Sequence, residues 1–176
     1  VATVTLTTAI KAIAGQVGSG GTLAIGSGAV DESDPLNSSV KTPQAANVTI
    51  AQGVITASQA PTGYTFLNQQ VNIAITSGGA EVVADPSNPI VLTFTIDHSL
   101  VPAGQTYQTF EMFRNGINMP NCLGATTIQS ANADPCVTGR QDMGGGDIRL
   151  TILTTHASRW NMGLSTDSVG TAPVAI

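Results

Sequence analysis

Residues 122–160 read CLGATTIQSANADPCVTGRQDMGGGDIRLTILTTHASRW. Cys122 and Cys136 are the only cysteines in the chain, and they bracket a polar loop. A lone pair closing a short loop beside β-type sequence reads as a structural disulfide and points to an oxidising compartment. Closing such a loop is worth about 3 kcal/mol in the chain-entropy description. A redox role would call for Cys-x-x-Cys spacing, and a metal role for further thiols or histidines nearby. After Cys136 the sequence reads as a hairpin whose tip is Gly144–Gly146. Ile148, Leu150 and Ile152 alternate with polar residues on the returning strand. Trp160 alternates with Arg159 and Asn161. It is expected in the core with Phe94, Leu150 and Ile152, because successive strand side chains face opposite ways.

Working outward, β-type runs occupy Ala2–Thr8, Thr22–Ile25, Asn47–Ile50, Val54–Ala57, Thr65–Leu67, Gln70–Thr76, Ile90–Asp97, Tyr107–Arg114, Ile148–Thr155 and Arg159–Leu164. Gly- and Pro-rich turns separate them, among them Asp34-Pro35, Pro61–Gly63, Asp85–Pro89 and Asn115-Gly116. Short strands at this spacing predict an all-β fold, a β-sandwich of immunoglobulin-like or jelly-roll-like type with one disulfide in its hairpin region. Thr8–Gln16, TAIKAIAGQ, is the best helical candidate, although it serves equally well as a strand. Three zones are expected. Residues 1–30 form a low-charge N-terminal strand segment, available for donation to a neighbour. Residues 31–46 form a polar connection, and residues 47–176 the sandwich core.

Charged residues make up 10% of the chain, against about 25% in an ordinary soluble domain. Mean hydropathy is +0.19, net charge −5 and pI about 4.6. The six cations are scattered, which argues against nucleic-acid binding, since that needs a basic face. No apolar run approaches the ~18 residues of a membrane helix. A surface this poor in charge suits a secreted chain, and also one that buries much of its surface against other copies. A start at Val1 fits a mature chain whose secretory signal has been removed, and equally a trimmed piece of a longer chain. Asn37-Ser38-Ser39 and Asn47-Val48-Thr49 match the N-glycosylation acceptor pattern.

Several constellations invite a chemical reading. His98 and His156 are the only histidines. His156 and Ser158 share a strand face, and with Asp97 or Asp147 they suggest a Ser-His-Asp arrangement, but no Gly-x-Ser-x-Gly elbow accompanies them. Asp142 and Asp147 flank the glycine run and could hold calcium across a hairpin tip; the spacing is not that of an EF-hand. Gly15–Gly21 lacks the Gly-Lys-Ser/Thr of a phosphate loop. No catalytic centre, metal or cofactor is expected.

From about Asn47 to Gly163 the chain carries Gln70–Ile73, Leu92–Asp97, Leu100–Gly104, Phe113–Gly116, Cys122, Ala133–Val137, Arg140, Gly146-Asp147 and Leu153–Trp160. In these features it resembles a β-rich segment that recurs at the C-terminal ends of secreted and cell-surface bacterial proteins. Thr155 stands where such segments more often have Ser. The resemblance implies an extracellular accessory β-sandwich and carries over no activity.

Two functions follow as expectations. In the first, the chain is a non-catalytic extracellular subunit of a surface filament, pilus-like fibre or other cell-surface assembly. VATVTLTTAI at residues 1–10 is uncharged and alternates, with Ala2, Val4 and Leu6 on one face. Such a strand is an aggregation hazard unless paired, and donation to a neighbour's sheet edge would pair it. In the second, it is an accessory module binding glycan or cell wall, which would need an exposed aromatic platform or a polar cleft.

Overall fold

The computed structural model describes residues 8–26, 29–54, 60 and 63–165. Among these residues twelve strands form two antiparallel sheets packed face to face, a β-sandwich. They are β1 (Thr8–Val17), β2 (Thr22–Ile25), β3 (Leu36–Lys41), β4 (Ala46–Val54), β5 (Tyr64–Ser77), β6 (Ala80–Glu81), β7 (Ile90–Ile96), β8 (Glu111–Arg114), β9 (Ile117–Asn118), β10 (Cys136–Gly144), β11 (Asp147–Thr154) and β12 (Arg159–Ser165). The first sheet runs β1-β4-β5-β12-β8-β9, with β6 paired to β5; the second runs β10-β11-β7-β3-β2. Among the described residues are two short helical turns, a 3-10 turn at His98–Leu100 and α1 (Ile128–Ala131), the latter capped at its start by Thr127.

The core follows from period-two alternation. Leu92, Phe94 and Ile96 of β7 and Ile148, Leu150 and Ile152 of β11 face Val48, Ile50, Val71, Ile73, Ile75, Trp160 and Met162 from the first sheet. Trp160 is fully buried, its ring tilted against Phe94 at 6.4 Å between centroids.

Both sheets also bury apolar groups on their outer faces. On the first sheet, Phe113 meets Phe66 and Tyr64 edge-on at 4.9 and 5.1 Å. Gly163 lies beneath them: a Cβ there would sit 2.7 Å from the Phe113 ring and 2.8 Å from the Thr65 carbonyl oxygen. On the second sheet, the Cys122–Cys136 disulfide and Ile128 of α1 cover Leu153 and Val91. The disulfide loop thus serves as a lid on a sheet face, burying apolar surface in addition to closing a loop.

The zone boundaries differ from the expectation. Thr8–Gln16 is strand: Ile13 pairs with Ile50 and Val17 with Ala46, so β4 supplies it with a partner along its whole length. Residues 8–25 therefore belong to both sheets of the sandwich. The stretch 31–46 holds a strand, β3, next to the centre of the second sheet. Its sequence LNSSVK looks polar, but Leu36 and Val40 point into the core, the buried Asn37 donates to the Ala29 carbonyl, and the buried Ser38 bonds the Gln52 side chain. Of the N-terminal ten residues, Thr8 and Ala9 pair with Val54 and Gly53 of the same chain. Ala2, Val4 and Leu6 lie outside the described residues.

Candidate functional site

Two features stand out: the strand edges and one cluster of reactive side chains. Four strands end the sheets, β1 and β9 in one and β10 and β2 in the other. An open edge presents unpaired N–H and C=O groups. The edge at β10 is covered at its start, where the Cys122 N–H donates to Val137 O (2.8 Å) and the Val137 N–H to Pro120 O (2.9 Å). Further along, two register shifts interrupt the strand. Between them Arg140 reaches back to the Tyr107 and Phe110 carbonyls and to Glu111 (3.7 Å). Burial raises the Glu111 pKa against the pull of Arg140, and it lowers that of Arg140 against the pull of Glu111. Strands β9 and β2 are two and four residues long. Strand β1 is ten residues long, has β4 as its one strand neighbour among the described residues, and carries a single charge, Lys11.

Lys11 sits at a register shift and faces inward across from Gln52. Its ammonium ion-pairs with Asp34 and donates to the Leu36 carbonyl (3.1 Å) and to Asn37 Oδ1 (3.1 Å). In the orientation that satisfies its partners, the Gln52 amide also donates to the Leu36 carbonyl (2.9 Å). Asn37 is 5% exposed, and its Nδ2 donates to Ala29 O (2.8 Å). Gly26, at φ +93°, passes so close to the Asn37 amide that a Cβ there would collide with it. Sequence reading did not bring these residues together. They come from two sheets and are up to 26 positions apart; the one local signal is that Lys11 is the only charge in residues 1–30.

The other constellations resolve differently. Asp147 meets Asp97 and His98, with donor atoms all within 4.8 Å, whereas the Asp142 carboxylate accepts from the Gly144 N–H within its own hairpin tip (2.8 Å). Asp147 accepts from the His98 N–H (2.9 Å) and Asp97 from the Ser99 N–H (2.9 Å). Desolvation acts to raise the Asp97 pKa, but the bonds from Ser99 and the nearby His98 outweigh it and hold the pKa below its ordinary value. His156 faces Glu81 (Nδ1 to Oε1, 3.4 Å), while the Ser158 hydroxyl accepts from Asn115 Nδ2 (3.4 Å). The two residues of the supposed hydrolytic pair therefore have separate partners. Asp134 accepts from the Thr155 N–H (3.1 Å) and hydroxyl and from the Thr154 hydroxyl (3.2 Å), with Arg114 at 3.7 Å. This ties the end of the cysteine loop to the TTHASRW segment. Asn37 is buried and Asn47 exposed, so the two glycosylation triplets are not equivalent.

No helix among the described residues is long and apolar enough to cross a membrane. The disulfide is compatible with an oxidising environment. No family model matches the chain, and neither a curated protein nor a solved structure is similar to it.

Proposed function

We propose that the chain is an extracellular structural subunit that joins copies of itself into a filament or other surface assembly, without catalysis. The observation that carries this reading is the β1 edge: ten residues, one charge and, among the described residues, one strand neighbour, continuing from an uncharged N-terminus. A second copy adding a strand there satisfies backbone groups that water otherwise covers. If the contact is head-to-tail, it does not close and the product is a fibre. The low charge content supports the same reading. Binding of glycan through ring stacking is less well supported, since every aromatic side chain is buried or half-buried.

The test is a concentration series by light scattering and negative-stain electron microscopy. The intact chain is expected to form oligomers or filaments. Removing residues 1–7, or making Leu6→Asp, is expected to weaken them while circular dichroism still reports folded protein. A monodisperse monomer at high concentration would overturn the assembly reading.

A further inference from the structure

We propose that Lys11 Nζ and the Asn37 side-chain amide, with the Asp34 carboxylate beside them as proton carrier, form an intramolecular amide cross-link with loss of ammonia. The inference goes beyond the assembly reading and does not rest on it, because the bond forms within one chain.

Three features of the cluster carry it. First, the nucleophile and electrophile are already together. Nζ is 3.1 Å from Asn37 Oδ1, and the carbonyl carbon lies about 1.2 Å beyond that oxygen along the C=O bond. Holding the groups in contact removes most of the entropic cost of a bimolecular reaction. Second, the amide is aimed. Its oxygen faces Lys11, its nitrogen is held by the Ala29 carbonyl, and Gly26 packs against the amide, nearest to its oxygen. The nitrogen that must leave is thus on the side away from the attacking amine. Third, Asp34 touches the amine that must lose its proton. Lys11 and Asp34 keep 26% and 39% of their side-chain surface exposed, which leaves a path for ammonia.

The step balances without oxidant or reductant. Asp34 takes a proton from the Lys11 ammonium, freeing the nitrogen lone pair. Nζ adds to Asn37 Cγ, and a C–N bond forms in a tetrahedral intermediate. Asp34 returns that proton to Nδ2 and takes the second proton that Nζ must shed; the Cγ–Nδ2 bond breaks, and the ammonia that departs carries this second proton away from Asp34 as ammonium. The product is a secondary amide joining β1 of one sheet to β3 of the other. The bond would close the sandwich on the side away from the disulfide, which anchors β10 at the opposite edge of its sheet.

Intact-mass spectrometry of the full chain, after reduction of the disulfide, decides the matter. The expected mass is that of the sequence less one ammonia, and digestion should yield a branched peptide joining Lys11 to Asn37. Peptide assignment separates this from an imide at Asn115-Gly116, which also loses ammonia and would overturn the proposal if it accounted for the whole deficit. Lys11→Arg keeps the positive charge but removes the nucleophile, so the full sequence mass is expected. Its Tm should fall by about 10 °C, as for loss of a cross-link over a loop of this size. Asn37→Asp should give the same cross-link by loss of water. Asp34→Asn should leave the chain open; a cross-link that still forms in it would overturn the role of Asp34. A folded wild-type chain at full sequence mass would overturn the proposal and leave Lys11 as a non-covalent guard of the β1 edge.

Discussion

The loops Asp31–Pro35 and Asp85–Pro89, DESDP and DPSNP, are two versions of one turn. In each, the leading aspartate accepts from the N–H (2.8 Å) and hydroxyl (2.6 Å) of the serine two positions on. In each, the first and fourth residues form a bridge, and the residue after the closing proline is a buried strand start, Leu36 or Ile90. Their strands, β3 and β7, are antiparallel neighbours, so the turns lie at opposite ends of the same sheet. They differ at the second residue, Glu32 against Pro86, at the conservative strand start, Leu36 against Ile90, and at two further positions. The fourth residue is Asp34 in one and Asn88 in the other, and two positions after the proline stand Asn37 and Val91. The first pair meets Lys11, whereas Val91 lies under the cysteine loop. One turn chemistry thus serves two purposes. The Asp-x-Ser core launches a strand, and the residues around it decide whether the strand carries reactive groups or an apolar patch for a lid.

The largest test of this comparison goes through the core that both strands share. Trp160→Ala removes a fully buried side chain packed on Phe94 and should cost about 3–5 kcal/mol in chemical denaturation. Because β3 and β7 rest on one core, a single cooperative transition is expected. Separate melting of the β3 side would show that the two turns feed independent units.

Next in size is the lid that distinguishes the Val91 side. Replacing both Cys122 and Cys136 by Ser should cost about 3 kcal/mol. A loss near zero, measured by urea unfolding, would show that the packing of Ile128 on Leu153 holds the loop without the bond.

The smallest effect concerns the turns themselves. The Ser33 and Ser87 hydroxyl bonds hold the Asp31 and Asp85 carboxyls below their ordinary value of 3.8. Each therefore contributes stability that is fully present above that value and is lost as pH falls through the lowered, folded-state pKa. Asp31→Asn and Asp85→Asn keep the acceptor oxygen and remove the titration. Both should flatten the acid limb of a Tm-against-pH curve, and to a similar extent if the turns are equivalent. A much larger effect at Asp31 would show that the Lys11 cluster depends on its turn.

How far such features can be read from sequence depends on how local their causes are. The sandwich class and the Cys122–Cys136 bond were legible, because alternation, turn residues and cysteine count act over a few positions. The nature of TAIKAIAGQ was not, because only pairing with β4, some 40 positions away, decides it in favour of a strand. β3 was hidden for a related reason. Polar residues lower the strand signal of LNSSVK, and the groups that satisfy Asn37 and Ser38 come from Ala29 and Gln52. The Lys11–Asp34–Asn37 contact was illegible in principle, since each residue alone reads as an ordinary polar position. The grouping Asp97–His98–Asp147 also arises only when β11 lies against β7.

Gly163 has a consequence for how this sequence can drift over time. The glycine carries no chemistry, but it is the floor on which Phe66 and Phe113 stand. Even alanine there would have to displace a ring and a main-chain oxygen together. In chains descended from a common ancestor, position 163 can therefore enlarge only where position 113 has already shrunk and the main chain at Thr65 has also drawn back. The two should change hands as a pair, in that order. A position that looks featureless in one sequence would then be among the slowest to change across many.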